Sequence, residues 1–166
     1  MQKEWRPIEG YPSYLVSSEG EIVNRTTFRP LRYGTTREGN RFVSLMRDGG
    51  RDTKMVKNIV AIAFVDGWSY LYNTAILLDG NKDNLRADNI VWRPRWFALQ
   101  YAHQFVDPPA YKDAGPIREI ISGEIFTTVA EAAVKYGLLM RRVWASTFLN
   151  PRIEVFPGKM SFEVIH

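Results

Sequence analysis

The stretch ILLDGNKDNLRADNIVW, residues 76–92, decides the expected fold of this chain. It continues a run, TAILL, in which the β-branched Thr74 and Ile76 favour a pleated strand. Burying Leu77 in such a strand stabilises the fold by about 1.5–3 kcal/mol. The strand is followed at once by DGNKDN, where Asp79 and Asp83 are turn-forming residues. The sequence therefore predicts an apolar strand that ends in a tight polar loop.

The residues before this stretch predict a β-rich segment followed by a short helix. YLVSSEGEIVN, residues 14–24, is typical of a hairpin that turns at Ser18-Glu19-Gly20. NRFVSLMRDGGRDTKMV, residues 40–56, predicts a second hairpin that turns at Asp48-Gly49-Gly50, where glycine adopts a positive φ at low cost. VKNIVAIAFVDGW, residues 56–68, has its apolar residues at helical spacing, and Gly67 is expected to end that helix.

The residues after Trp92 predict a helix, a linker and a small compact module. RPRWFALQYAHQF, residues 93–105, favours a helix with Pro94 near its first turn. In the module, IREIISGEIFT predicts a hairpin that turns at Ser122-Gly123, and PGKMSFEVI predicts a closing strand. Between them lie two helices separated by Gly137, an arrangement typical of a helix-turn-helix. The aromatic residues predicted to lie in the core are Trp96, Phe97, Tyr101 and Trp144.

The expected fold class is α+β, with four segments along the chain. Residues 1–56 form an N-terminal antiparallel β module, and residues 57–105 form a core built around the polar loop. The linker, residues 106–116, contains three prolines and no periodic pattern. Residues 117–166 form the C-terminal helix-turn-helix module. Thr127 or Thr128 can cap the first helix of that module, and Glu131 lies three residues after Thr128, as in a capping box.

Composition narrows the classes of function. The chain has 22 basic and 18 acidic residues, a net charge of +4, which favours a polyanionic partner. It has no cysteine, so disulfides and thiolate metal sites are excluded. No apolar run reaches the roughly 20 residues that cross a bilayer, so no membrane partner is expected. The first residues, MQKEWRPIEG, lack the apolar stretch of a signal peptide, and a cytoplasmic location is expected.

Three strings in the expected order resemble the bacteriophage-type HNH homing endonucleases. EWRPIEGYPSYLVSSEGEIVN resembles their N-terminal DNA-binding module. VKNIVAIAFVDG followed by DGNKDNLRADNIVW resembles their nuclease core, and FTTVAEAAVKYGL with GKMSFEVI resembles their C-terminal helix-turn-helix module. The resemblance implies a ββα-metal core in which an Asp helps bind a divalent ion, a His activates water and a later Asn completes the metal site.

Carried over onto this chain, that site is degenerate. The Asp position falls on Ile76, the His position on Leu77, and only the Asn is retained, as Asn89. Leucine accepts no proton and isoleucine offers no oxygen to a hard cation. We therefore expect no catalytic residue, no metal site and no cofactor, with Asn89 fixing the loop through local hydrogen bonds. Mg²⁺ or Mn²⁺ would be required only if the chain is a nuclease after all.

The polar residues that could replace the missing pair are Asp79, Asp83, Asp88, His103 and His166. The family often has a second His where this chain has Lys57, and a helical His where it has Ala98. His103 lies five residues beyond that helical position, about 7 Å along a helix axis, and is expected to be a surface or capping residue. His166 is the last residue of the chain and is expected to lie outside any site.

Basic residues are the candidates for contacts with DNA phosphates. They occur in the second hairpin, after Trp92 and in the second helix of the C-terminal module: Arg37, Arg41, Arg47, Arg51, Lys54, Arg93, Arg95, Arg141 and Arg142. Arg141 and Arg142 point about 100° apart on a helix, so at most one of them reads bases well. The alternative is that basic hairpins simply guard sheet edges against pairing.

Three functions follow from these observations. The first is a catalytically inactive HNH endonuclease-like protein that binds double-stranded DNA and that the resemblance implies is phage-encoded. The second is an active metal-dependent nicking endonuclease with an unusual site built from Asp79, Asp83 and His103. The third is a scaffold reused to bind a phage or host protein, as a virion component or an enzyme inhibitor.

Overall fold

The computed structural model describes residues 3–165 and has the expected α+β architecture of small antiparallel sheets and short helices. His166 lies outside the described residues. The chain divides into two compact units, with the boundary between Ala98 and Leu99. Each unit has its own apolar core. Within residues 3–165, every helix is too short or too polar to cross a membrane.

The first sheet contains three antiparallel strands in the order β1-β2-β3. They are β1 (Trp5–Ile8), β2 (Tyr11–Ser17) and β3 (Ile22–Asn24). The hairpin predicted from YLVSSEGEIVN is the β2–β3 pair, with Tyr14 opposite Asn24. Strand β1 was not predicted, because it is short, contains Pro7 and pairs irregularly between Pro7 and Ile8.

The second sheet has the order β4-β5-β6, and its main hairpin matches the prediction. The strands are β4 (Gly34–Thr35), β5 (Arg41–Arg47) and β6 (Gly50–Met55). Val43 and Leu45 point into the first core and are almost completely buried. Gly50, which the sequence placed in the turn, is instead the first residue of β6 and pairs with Arg47.

Helix α1 (Val56–Phe64) follows β6 directly and buries Val56, Ile59, Val60 and Ala61 in the first core. The prediction that Gly67 ends this helix was wrong. Val65 already has an extended backbone, and its N–H donates the last helical bond to the Ala61 carbonyl. The glycine, with φ of 94°, turns the loop beyond the helix.

The stretch that decided the expected fold forms a hairpin with a long polar loop. Its strands are β7 (Thr74–Leu77) and β8 (Ile90–Arg93), paired so that Leu77 lies opposite Ile90. A short 3₁₀ turn, Ala87–Asn89, leads into β8. The indole of Trp92 donates a 2.9 Å hydrogen bond to the Val65 carbonyl, which fixes β8 against the end of α1.

Helix α2 (Arg95–Val106) begins directly after Pro94, as predicted. Phe97 and Tyr101 are buried, one helical turn apart. The prediction that Trp96 lies in the core was wrong, since 54% of it is exposed. Its position is about 100° around the helix from Phe97, and its indole packs edge-on against the Phe97 ring instead.

The second unit contains a three-stranded sheet of order β10-β9-β11 and two helices. Its elements are β9 (Ile117–Glu119), β10 (Ile125–Phe126), α3 (Val129–Tyr136), α4 (Met140–Phe148) and β11 (Phe162–Val164). The hairpin predicted at Ser122-Gly123 is β9–β10, and the predicted closing strand is β11. Trp144 is half-buried against the second core.

Helix α3 begins and ends where the sequence predicts. The Thr128 hydroxyl accepts a hydrogen bond from the Glu131 N–H, and the Glu131 carboxylate accepts one from the Thr127 N–H at 2.7 Å. Gly137 ends the helix in the left-handed conformation with φ of 63°. Only Gly137, Leu138 and Leu139 separate α3 from α4.

The segment predicted as a linker, residues 106–116, is tied to the second unit by backbone hydrogen bonds. The Lys112 and Ala114 carbonyls accept hydrogen bonds from Ala130 and Val129 at the start of α3. The Tyr111 ring stacks on Trp144 with 4.8 Å between ring centroids. The division of the chain into the four predicted segments remains a prediction.

Candidate functional site

Strand β7 carries two buried apolar residues immediately before the polar loop. Ile76 is 5% exposed and Leu77 is 9% exposed. Leu77 belongs to the first core cluster, whereas Ile76 is buried outside that cluster. Successive residues of a strand point to opposite faces, so the two side chains line the two faces of the hairpin. At both positions where the resemblance implies a catalytic Asp or His, this chain therefore has a buried aliphatic side chain.

Asp79 and Asn89 hold each other across the two ends of the loop. The Asn89 Oδ1 atom accepts a hydrogen bond from the Asp79 N–H at 3.1 Å. The Asn89 Nδ2 atom donates to Asp79 Oδ1 at 2.8 Å and to the Asn84 carbonyl at 2.9 Å. The second Asp79 oxygen accepts from Asn84 Nδ2 at 2.7 Å. Every polar atom of the Asp79 and Asn89 side chains therefore serves the conformation of the loop.

Residues of the first two sheets brace the loop from outside. Arg41 in β5 forms an ion pair with Asp83 at 2.6 Å, and this bond lowers the pKa of the Asp83 carboxyl. Lys82 Nζ donates to the Glu38 carbonyl. The Ala87 N–H donates to the Ser18 carbonyl in the β2–β3 turn at 2.8 Å. The loop is thus a joint between three hairpins.

The residues present do not fit the divalent ion that the resemblance implies. Ile76 and Leu77 offer no donor atom, and the oxygens of Asp79 already accept hydrogen bonds. A hard cation takes about six oxygen ligands. Among residues 3–165, no three His, Asp or Glu side chains are close enough together to share a metal ion.

Lys57 occupies the position where the family often has a second histidine. It lies in the first turn of α1 and is half-buried. Burial lowers the pKa of its ammonium, and the positive charge of Lys82 lowers it further. The resemblance marks Lys57 only as a lost histidine and gives Lys82 no role. The signal for Lys82 is its position inside the DGNK turn, where the neighbouring residues are polar or acidic.

Three of the candidate DNA contacts in the second hairpin already have protein partners. Arg41 pairs with Asp83, and Arg47 pairs with Asp52 at 3.0 Å. The Lys54 ammonium lies 6.0 Å from the centre of the Tyr11 ring. These three side chains are on the sheet face that carries Val43 and Leu45, at its ends and edge.

Arg51 and Arg37 differ from these three. Arg51 is exposed on the opposite face of the sheet, next to the exposed Met46 with which it pairs across the strands. Arg37 is exposed in the loop between β4 and β5. The structure therefore brings the five candidates into one hairpin but distributes them over two faces.

The remaining candidates lie at the end of β8 and in the first turns of α2 and α4. The Arg93 guanidinium donates to its own neighbour's carbonyl, Trp92 O, at 2.9 Å and lies over the Phe97 ring. Arg95 is exposed in the first turn of α2. Arg141 and Arg142 are both exposed in the first turn of α4, and Arg141 donates to the side chain of Gln100.

The residues considered as substitutes for the catalytic pair do not form a cluster of three with one another. His103 is exposed in the last turn of α2 and belongs to the second unit, while Asp79 and Asp83 belong to the first. Asp88 is exposed and forms an ion pair with Arg86 at 3.1 Å.

Comparison with known proteins finds a relative among phage DNA endonucleases. The DNA endonuclease I-HmuI of Bacillus phage SP01 is 32% identical to this chain over 93 residues, which cover 54% of this chain and 51% of I-HmuI. The chain therefore spans about half the length of this relative. A solved structure concerning DNA binding and cleavage by the HNH homing endonuclease I-HmuI superimposes with a TM-score of 0.57.

That superposition covers 96% of this chain and 97% of the other, at 23% sequence identity, and shows a shared fold. No protein-family model matches the sequence. The sequence identity and the shared fold together confirm the resemblance to the HNH homing endonucleases.

Proposed function

We propose that this chain, a homologue of the HNH homing endonuclease I-HmuI, binds double-stranded DNA and does not cleave it. The observation that carries the proposal is the pair of buried apolar residues, Ile76 and Leu77, directly before a loop whose Asp79 and Asn89 are fully hydrogen-bonded. A positioned general base contributes about 10²–10⁴-fold to such a reaction, and neither Ile76 nor Leu77 can act as one.

Exposed arginines and the similarity to I-HmuI support DNA as the partner. Arg37, Arg51, Arg95 and Arg142 are exposed, and within residues 3–165 their guanidinium groups have no protein partner. Free guanidinium groups of this kind neutralise phosphates and release counterions. The similar structure concerns a protein that binds and cleaves DNA. The proposal includes a phage origin and action in the cytoplasm of the host.

The test combines binding and cleavage on one preparation of the protein. Duplex DNA is expected to shift in a gel at low salt, while supercoiled plasmid stays intact with Mg²⁺ or Mn²⁺. Metal-dependent nicking that disappears in Asp79→Ala or Asn89→Ala, but persists in the exposed control Asp66→Ala, would overturn the claim of inactivity.

A second candidate function is an active nicking endonuclease with an unusual site. Two observations favour it: the relative is named a DNA endonuclease, and Asp79, Asn84 and Asn89 form a polar cluster directly after β7. This function requires a bound divalent ion, with Asp79, Asp83 and His103 as its proposed residues. Calorimetry with Mn²⁺ separates the two candidates, since the DNA-binding proposal expects no heat of binding at stoichiometric metal.

A third candidate is a protein-binding scaffold, favoured by one exposed apolar segment. Trp68, Tyr70 and Leu71 are 64%, 88% and 70% exposed in the loop between α1 and β7. A purified chain that shifts no duplex at low salt but retains a phage or host protein through purification would support this function. Loss of that protein in the Trp68→Ser/Leu71→Ser variant would identify the segment as its binding surface.

A further inference from the structure

Phe28, in the loop between β3 and β4, has a backbone conformation that aromatic residues rarely adopt. Its φ is 55°, and of residues 3–165 it alone, apart from glycines, has a positive φ. The left-handed conformation is disfavoured for a bulky side chain, because its Cβ atom lies too close to the following carbonyl oxygen. The residue is nevertheless 54% exposed, so burial in a core does not offset this strain.

Hydrogen bonds to Asn24 hold the loop in this shape. The Phe28 N–H donates to the Asn24 carbonyl at 2.8 Å, and the Asn24 N–H donates to the Arg29 carbonyl at 2.9 Å. The Asn24 Oδ1 atom accepts hydrogen bonds from the Thr26 and Thr27 N–H groups, both at 3.0 Å. Strained residues that their surroundings fix in this way occur most often where a protein contacts a ligand.

The ring of Phe28 is supported on one side by Trp5 in β1. The two ring centroids are 5.1 Å apart and the ring planes meet at 60°, which is an edge-on contact. Trp5 is half-buried, and the Lys3 ammonium lies 5.5 Å from the centroid of its ring. The contact with Trp5 thus positions the Phe28 ring and leaves more than half of the residue open to a second partner.

The loop also carries arginines that have no partner in the protein. Arg25, Arg29 and Arg32 are exposed, and within the described part of the chain their guanidinium groups have no hydrogen bond or ion pair. Arg29 directly follows Phe28, and residues 24–33 contain no Asp or Glu. An exposed ring beside unpaired guanidinium groups matches a nucleic acid, whose bases offer faces for stacking and whose phosphates offer negative charge.

The exposed aromatic residues between α1 and β7 lack this charge. Trp68 and Tyr70 are 64% and 88% exposed, but residues 65–73 include Asp66 and no Arg or Lys. Exposure of an aromatic ring by itself therefore does not indicate contact with DNA. The indication at Phe28 comes from the ring, its fixed strained backbone and the arginines together.

We propose that the ring of Phe28 inserts at a base step of bound DNA and stacks on an unstacked base, while Arg25 and Arg29 contact the adjoining phosphates. This inference rests on the proposed function, and it names how the first unit contacts the duplex. Apolar side chains that enter a base step partly unstack it and kink the duplex. The edge-on contact with Trp5 holds the ring ready for this insertion.

The test compares matched duplexes with duplexes that carry one central mismatch. A mismatched base costs less free energy to unstack, so a protein that inserts a ring prefers the mismatched duplex. We expect this preference in the wild-type chain and its loss in Phe28→Asn, measured by fluorescence anisotropy. One base stacked on an aromatic ring contributes roughly 5- to 150-fold to affinity, which is the loss expected for Phe28→Asn on the mismatched duplex.

The variants are chosen to keep the fold. Asparagine tolerates the left-handed conformation, so Phe28→Asn removes the ring without adding backbone strain. Phe28→Tyr keeps the ring and is expected to keep the preference. Tyr70→Asn is the matched control, because it removes an exposed ring from a segment without basic residues. Arg25→Gln/Arg29→Gln is expected to reduce the salt slope of binding by about 2 on both duplexes.

The outcomes separate the two proposals. If duplexes bind but the wild type shows no preference, or Phe28→Asn keeps the preference, the aromatic contact is overturned while the proposed function stands. An equal loss of affinity in Tyr70→Asn also overturns it. If the preference depends on Phe28 but plasmid is nicked, the aromatic contact stands and the proposed inactivity fails. If no duplex binds, both proposals are overturned.

Discussion

At the scale of single residues, the amide of Asn89 determines the shape of the polar loop. It is 7% exposed and joins the start of the loop to its end through Asp79 and Asn84. The Asn89 carbonyl also accepts a hydrogen bond from the Leu78 N–H at 2.8 Å. In the related nucleases the resemblance gives this asparagine a metal-binding role, whereas here its side chain has a structural one.

We expect Asn89→Ala to destabilise the protein by about 1–3 kcal/mol, because it leaves the half-buried Asp79 N–H and Asn84 carbonyl without their partner. Urea unfolding followed by circular dichroism measures the change. Asn58→Ala is the matched control, since Asn58 is exposed on α1 and such surface changes stay within about 0.5 kcal/mol. A loss of the same size in both variants would show that the amide network contributes nothing.

Lys57 predicts a specific dependence of stability on pH. Its folded-state pKa is lowered from 10.5, first by burial and then by Lys82. Between the folded and unfolded pKa values the unfolded chain binds more protons, so stability rises with pH through that window. Lys57→Met should therefore be more stable than wild type at neutral pH, with a difference that shrinks as pH rises towards 10.5.

Thermal unfolding of the two proteins across this alkaline range measures that difference. Lys159→Met, which removes an exposed lysine, controls for the loss of one charge. A Lys57→Met variant that is less stable than wild type at neutral pH would contradict the argument, because it would reveal a stabilising contact of the ammonium.

At the scale of elements, the β2–β3 turn and the polar loop are in direct contact. Gly20 has a φ of 86°, and a Cβ atom there would lie 2.6 Å from Leu85 Cβ. The Tyr33 hydroxyl donates to the Gly20 carbonyl at 2.6 Å, and burial raises the pKa of Tyr33 to about 12. The first sheet therefore contacts the loop closely at a glycine, and the ion pair between Glu19 and Arg86 at 3.5 Å adds a charged contact.

The stability losses of two glycine-to-alanine variants separate the effect of the contact with Leu85 from the effect of backbone strain. Gly10→Ala, at φ of 76° with open space around it, should cost about 1–2 kcal/mol from the left-handed backbone alone. Gly20→Ala should cost a further 1–3 kcal/mol, roughly, because the methyl group overlaps Leu85. Guanidinium unfolding of both variants gives the difference, and equal losses would mean that the turn moves away freely.

The sequence predicts the elements whose signals are local and misses those set by packing. The capping box of α3 and the Asp48-Gly49 turn need only neighbouring residues, and both were found. The predicted end of α1 was wrong. The backbone is already extended at Val65, whose carbonyl accepts a hydrogen bond from the indole of Trp92, a residue far away along the chain.

The candidate site, too, could be predicted from the sequence only in part. That Ile76 and Leu77 cannot act as acid, base or ligand follows from their chemistry. The pairing of Arg41 with Asp83, 42 residues apart, depends on how the hairpins pack and could not be read from the chain. The exposure of Trp96 was missed for a related reason, since only the packing of α2 shows which of two adjacent aromatic rings faces the core.

At the scale of the whole molecule, the net charge of +4 does not show which arginines are available to a polyanionic partner. Arg41 and Arg47 are compensated by aspartates, whereas Arg51 and Arg142 are exposed without protein partners among the described residues. A guanidinium that is already paired with a carboxylate contributes less to the free energy of DNA binding, because the existing ion pair must first be broken.

We therefore expect Arg51→Ala and Arg142→Ala each to reduce the salt slope of DNA binding by about 1. Arg47→Ala, the matched control from the same hairpin, should reduce it by less, since Asp52 already compensates that charge. Fluorescence anisotropy with a labelled duplex over a range of salt concentrations measures the slopes. Equal reductions in all three variants would show that pairing does not govern which arginines contact DNA.

The burial of both Ile76 and Leu77 also affects how such a chain can change over generations. The two residues face opposite sides of one strand, so each is enclosed by different surroundings. Introducing a lone carboxylate or imidazole at either position would first weaken the fold, before its counterpart had arrived to make it useful. A lineage with this hydrocarbon pair is thus separated from a polar pair by an unstable intermediate, and selection against that intermediate would preserve the present state.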